Sequence, residues 1–271
     1  MTIDYVNLLL MIITIGILSV LPLGAVLFWK CKFHGKMTAV LGGMVGFILF
    51  ARILEAGVHM VFLFTDNPVS RAIKGSTALY TLYGCAMAGI FEEAGRYIMF
   101  RFVLKNEKAP QTAVGYGLGH GGIEVYVNVV LGLLVMLGTA VRYLRGGMEA
   151  VGENNTALLY SAASFTASTY VYYIVERVAA MAFHVAASVI VFTSLRQHRP
   201  QLLLLAVVLH GIVDIPAALT QRGVLSIGLY EVIFALLCAG ACVIGWKIWK
   251  RLNETETDLD IDLYVYDSAD I

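Results

Sequence analysis

The chain has 271 residues, 59% of them hydrophobic and only 14% charged, with a formal net charge of zero and a mean hydropathy of +0.78. That balance excludes an ordinary water-soluble domain, and basic residues scattered through short loops exclude a nucleic-acid interface. Apolar runs long enough to cross a bilayer, about 20 residues of helix, recur along nearly the whole length. The predicted class is an all-α polytopic membrane protein whose first partner is the lipid bilayer.

Taken in chain order, the apolar runs predict seven transmembrane helices, near Tyr5–Trp29, Met37–Phe64, Thr77–Val103, Thr112–Val141, Ser168–Leu195, Gln201–Thr220 and Leu225–Trp249. The N-terminus has neither the basic start nor the small-residue cleavage site of a signal peptide, and its first apolar run is long enough to remain a span. Between the fourth and fifth spans, Leu158–Ala167 reads as a loop or a short interfacial helix. Residues 1–253 form one integral-membrane domain, and 254–271, with Asp258, Asp260, Asp262, Asp267 and Asp270, read as an acidic, disordered tail. Cys31, Cys85, Cys238 and Cys242 have no CxxC or zinc-ligand spacing and read as spare thiols.

Orientation follows from the loop cations. Lys30, Lys32, Lys36, Arg101, Lys105, Lys108, Arg196, Arg199, Lys247, Lys250 and Arg251 fall on one side, against Arg71, Lys74, Arg142, Arg145 and Arg222 on the other. The positive-inside rule puts the first set in the cytoplasm, hence the N-terminus outside and the C-terminus cytoplasmic. Seven spans satisfy that arithmetic.

The spans retain Arg52, Glu55, His59, Glu92, Glu93, Arg96, His120, Glu124, Glu176, Arg177, His184, His210, Asp214 and Glu231. Each costs several kcal/mol in hydrocarbon unless paired or facing a cavity, so they must converge on an interior. Glu92, His120, His184 and His210 each lie about nine to 12 residues from one membrane face, which at about 1.5 Å per residue is roughly 14 to 18 Å deep. Four helices thus present a carboxylate or imidazole at one level, which predicts a shared polar chamber. On helical spacing, Arg96 can neutralise Glu92 or Glu93, and His120–Glu124 and His210–Asp214 are i,i+4 pairs in which the carboxylate can orient the imidazole. The glycine-rich "GYGLGHGG" of Gly115–Gly122 suits close helix packing, or room for a substrate backbone. Arg52–Glu55, Glu176–Arg177, Glu231 and His59 read as structural.

Such a chamber suits hydrolysis, which needs water, a base and a stabiliser for the oxyanion. Glu92 or Glu93 can act as the base, with His120 and His184 or His210 stabilising the oxyanion or protonating the leaving amine, and Asp214 or Glu124 orienting them. The scheme preferred on sequence needs no cofactor. The alternative makes Glu92 or Glu93, His120, His184 and His210 a zinc site, although no HExxH helix is present. No GxSxG or aspartate dyad supports serine or aspartyl proteolysis. Outside enzymes, a proton-coupled transporter or a non-catalytic membrane scaffold also keeps buried carboxylates and histidines.

The ordered motifs "FEEAGRYIMF", "GLGHGGIEV", "ERVAAMAFHVAAS" and "LHGIVDIP" resemble the CAAX-prenyl-protease-like membrane peptidases, a superfamily that includes the APH-1 subunit of gamma-secretase. Within it they look most like the bacterial YhfC family of intramembrane peptidases, over the stretch from the second span to the seventh. The resemblance implies an endopeptidase of the bacterial plasma membrane acting on membrane-associated peptide or protein substrates. It implies a water-activating glutamate at Glu92 or Glu93, with Tyr116-xxx-His120 in place of Phe-xxx-His and His210-xxx-Asp214 as the late motif. His184, with Ser188 four residues on, is the further histidine of the YhfC-like branch. The superfamily's EExxxR is EExxR here, which leaves both glutamates as candidates. APH-1 resembles these enzymes and serves as a scaffold, so the chamber by itself does not imply catalysis.

Overall fold

The computed structural model describes the backbone of residues 4–267 and the side chains of 4–252, so the tail expected at 254–271 lies outside the described side chains. Among the described residues there are helices and no strands. We label them α1 (Tyr5–Phe33), α2 (Met37–Phe64), α3 (Pro68–Gly75), α4 (Thr77–Ile98, continued by a π-helical turn Met99–Val103), α5 (Gln111–Val151), α6 (Thr156–Ser164), α7 (Ala167–Arg196), α8 (Pro200–Gln221) and α9 (Ile227–Asp267).

Six of these, α1, α2, α5, α7, α8 and α9, are long and apolar enough to cross a membrane. The rod of α4 has comparable length but carries Glu92, Glu93, Arg96 and Arg101. The molecule is an all-α polytopic membrane protein, and its burial pattern shows it: Leu9, Ile13, Val20 and Leu27 of α1 face outward, while Glu93, Arg96 and His120 are buried. Lipid solvates the former, and the latter need protein around them.

Helix ends follow local rules. Asp4, Asn67 and Ser76 accept backbone N–H bonds at the starts of α1, α3 and α4, and Thr166 with Thr169 forms a capping box on α7. Pro68 and Pro200 sit in the first turns of α3 and α8, where a missing N–H costs nothing. The region after the expected fourth span differs from expectation. Helix α5 runs on to Val151, is kinked at Gly146 and Gly147, and is followed by the short helix α6, which takes up most of the segment Leu158–Ala167. The kink falls there because Gly147 adopts φ 67°, a left-handed conformation that glycine tolerates.

Helix α7 is the central element, packed by α1, α4, α5, α8 and α9. One apolar cluster joins α1, α5, α6 and α7; a second joins α4, α5, α7, α8 and α9; a third joins α7, α8 and α9. The glycines of α5 are packing residues. A Cβ on Gly119 would stand 2.0 Å from the Val40 carbonyl oxygen of α2, and one on Gly117 would stand 2.5 Å from Val185 Cα of α7. Backbones this close let α5 wedge between α2 and α7, which carries His120 to the centre of the molecule.

Candidate metal centre

Glu92 Oε2 is the hub of the buried polar cluster. His120 Nε2 of α5 is hydrogen-bonded to it at 2.8 Å, while His184 Nδ1 of α7 and His210 Nε2 of α8 lie 3.9 and 3.8 Å away. The imidazoles are in contact, tilted with centroids 4.6 Å apart for His120–His184 and edge-on at 5.8 Å for His184–His210. The residues expected at one depth are therefore brought together. Phe47 of α2 closes the group with its ring set edge-on to His120 at 5.2 Å.

The neighbouring glutamate is wired differently. Glu93 Oε1 accepts from His210 Nδ1 at 2.7 Å and lies 3.6 Å from Arg96 Nη1. Arg96 also donates to the His184 carbonyl and to His184 Nδ1, both at 3.2 Å. A guanidinium only donates, so Nδ1 accepts and the proton of His184 sits on Nε2. That nitrogen is 2.5 Å from Glu124 Oε2, and Glu124 Oε1 accepts from Arg177 Nη1 at 2.8 Å. Arg177 also holds Glu176 at 2.6 Å, and the Tyr230 hydroxyl donates to Glu176 Oε1.

Several expected pairs resolve otherwise. Glu124 does not orient His120, because His120 faces α4 and Glu124 is taken by His184 and Arg177 of α7. Of the two glutamates offered to Arg96, Glu93 forms the ion pair. Asp214 lies 3.6 Å from His210 Nε2, while the shorter bond of His210 goes to Glu93. Arg52 and Glu55 part company: Arg52 is exposed and Glu55 is buried, 3.3 Å from His59. They lie in a π-helical stretch, Phe47–Glu55, whose i→i+5 winding the α-helical spacing did not anticipate. Glu55 is the polar residue that sequence reasoning undervalued, since it is buried and lies 3.3 Å from His59. The signal was the i,i+4 spacing of Glu55 and His59.

Glu92, His120 and His184 together fit a metal ion. Each offers a ligand atom, and these atoms lie within 4.8 Å of one another in a buried site fed by three different helices. One carboxylate oxygen and two imidazole nitrogens are a usual zinc donor set. Glu124 on His184 is the outer carboxylate that such ligands commonly have. His120 Nδ1 is buried with no hydrogen-bond partner. Glu93 and His210, also proposed as ligands, stand outside this trio, paired with each other. His184 Nδ1 has one lone pair, which either Arg96 or a metal can use.

Residues 17–234 match the family described as YhfC intramembrane metalloprotease. The chain belongs to that family. It is also similar to the membrane protein YhfC of Bacillus subtilis (strain 168), at 32% identity over 231 residues, covering 83% of this chain and 89% of that protein. No solved structure matches it. The preference for cofactor-free, glutamate-only catalysis is not supported: the family is one of metalloproteases, and a Glu–His–His group suited to a metal sits at the centre of the fold.

Proposed function

We propose that the chain is a metal-dependent intramembrane endopeptidase, acting on membrane-associated peptides or proteins, with the metal held by Glu92, His120 and His184. The observation that carries this is the convergence of their ligand atoms within 4.8 Å inside a buried site. A divalent ion such as zinc bound there would supply Lewis acidity towards a peptide carbonyl and acidify water.

The chain's own residues divide the remaining work. Glu93 fixes His210 through Nδ1, which aims Nε2 at Glu92 and Asp214. His210 is thereby placed to take a proton from the attacking water and deliver it to the leaving amine. Glu124, itself held by Arg177, sets the ring of His184. Arg96 balances Glu93 and would yield His184 Nδ1 to a bound metal.

The topology belongs to the same reading: seven spans with α4 included, one domain over 1–253, the N-terminus outside and the C-terminus cytoplasmic. Placement within the CAAX-prenyl-protease-like superfamily rests on the order EExxR, Tyr116-xxx-His120, His210-xxx-Asp214.

The test is metal content and proteolysis measured together on purified protein, for wild type and for Glu92→Gln, His120→Ala and His184→Ala. All three variants should lose bound metal and cleavage, and chelation of the wild type should abolish cleavage until zinc is restored. Undiminished proteolysis in the chelated protein would overturn the metal; undiminished proteolysis in all three variants would overturn the site. Proton-coupled uptake in proteoliposomes with no cleavage would replace the enzyme by a transporter.

A further inference from the structure

Hydrolysis consumes one water per bond, yet the cluster is sealed on most sides. Glu93, Arg96, His120, His184 and His210 are all buried, and the Glu92 side chain is 12% exposed. Asp214 is the exception, with its side chain 32% exposed. It forms the floor of a cavity of about 350 Å³ between α2, α4 and α8, whose walls include His59, Tyr80, Tyr83 and Gln221. Such a volume has room for several water molecules.

The walls are mixed, with apolar side chains such as Leu63, Phe64 and Ala218 alongside a polar strip. His59 Nδ1 is 2.9 Å from the Tyr83 hydroxyl, and His59 Nε2 is 3.3 Å from Glu55 Oε1, so hydrogen-bonding groups line the descent on the α2–α4 side. At the mouth, the Tyr80 hydroxyl donates to Gln221 Oε1 at 2.8 Å, joining α4 to α8. The Arg222 guanidinium lies over the Tyr80 ring at 5.3 Å and donates to the Lys74 carbonyl of α3 at 3.0 Å. The cavity therefore opens at the face that carries α3. Asp214 is seven residues before Gln221 on α8, a descent of about 10 Å.

We propose that this cavity is the water port of the site. Water enters at the α3 face beside Tyr80 and Gln221, passes His59 and Tyr83, and reaches the cluster at Asp214. His59, Tyr83 and Asp214 are positioning residues for that water, and Tyr80–Gln221 is its latch. The port's purpose rests on the hydrolytic reading above, but its test does not.

In protein with its four cysteines replaced by alanine, Ala217→Cys on the cavity wall and Leu63→Cys on the facing wall are exposed to a charged, membrane-impermeant methanethiosulfonate. Ile215→Cys, on the outward side of α8, is the lipid-facing control. Sealed vesicles of each orientation separate the two membrane faces. Both wall cysteines should react from the α3 face at least about tenfold faster than the control, because hydrocarbon excludes the charged reagent. Adding Tyr80→Phe should raise the rate by opening the latch. Reaction no faster than the control, or only from the opposite face, would overturn the port. Ala217→Trp, which fills the cavity, should lower kcat several-fold with metal content unchanged, and wild-type turnover in that variant would also overturn it. Labelling needs no substrate, so the two readings fail separately. A protein that labels as expected but cleaves nothing overturns the protease and leaves the port. One that cleaves but does not label overturns the port alone.

Discussion

The two sides of the buried cluster balance their charges in opposite ways. Towards α7, three acids have a guanidinium: Glu93 has Arg96, and Glu124 and Glu176 share Arg177. Towards α2 and α8, among the described residues, Glu55, Glu92 and Asp214 have only imidazoles within ion-pair distance. A closed network of charges holds a shape, because removing either partner strands the other in a low-dielectric interior. An acid-rich wall facing imidazoles is instead suited to receive a cation and water. The adjacent residues Glu92 and Glu93 fall on opposite sides of this division, although the sequence presents them as equivalents.

The comparison is broken most severely at the hub. Glu92→Gln or His120→Ala should remove bound metal altogether, a larger loss than the about 10–100-fold expected for an outer partner, as measured by elemental analysis of purified protein. Glu93→Gln should act on stability instead. It leaves Arg96 buried without its carboxylate, a change that costs about 3–5 kcal/mol, read as a lower Tm while the folded fraction still binds metal. Equal metal loss in Glu92→Gln and Glu93→Gln would erase the distinction. Glu124→Gln, which loosens His184 without removing a ligand, should weaken metal affinity about 10–100-fold in competition with a chelating dye. The smallest effect belongs to Gly117→Ala, whose methyl meets Val185 Cα. It should cost about 1–3 kcal/mol of stability and, by moving His120 away from His184, lower metal affinity slightly.

Much of this architecture was legible in the sequence, and the exceptions have physical reasons. Apolar runs give away membrane helices because lipid demands length and hydrophobicity, and the expected spans coincide with α1, α2, α4, α7 and α8 to within a few residues, while α9 begins where expected and continues as helix to Asp267. Helix α5 was underestimated because its last turns, from Arg142 to Val151, continue the helix beyond the apolar stretch. The common depth of Glu92, His120, His184 and His210 was legible because rise per residue is nearly constant. Pairing was not. Helical spacing says which side chains can meet along one helix, but Glu124 found its partners on α7, and only tertiary packing could decide that. The π-helical turns in α2 were equally hidden, and with them the exposure of Arg52 and the burial of Glu55.

The exception among the long helices, α4, has a consequence for biogenesis. Its neighbours are apolar enough to partition into lipid on their own, but a segment bearing Glu92, Glu93 and Arg96 is a poor substrate for the insertion machinery by itself. Some of its polar partners arrive late: His184, which accepts from Arg96, is made 88 residues after it, and His210 is made 117 residues after Glu93. On the seven-span topology proposed above, integration and folding of this helix are then a single event. A nascent chain ending before Pro200 should hold α4 insecurely in the bilayer, exposed to quality-control proteolysis, and emergence of α8 should be what commits it.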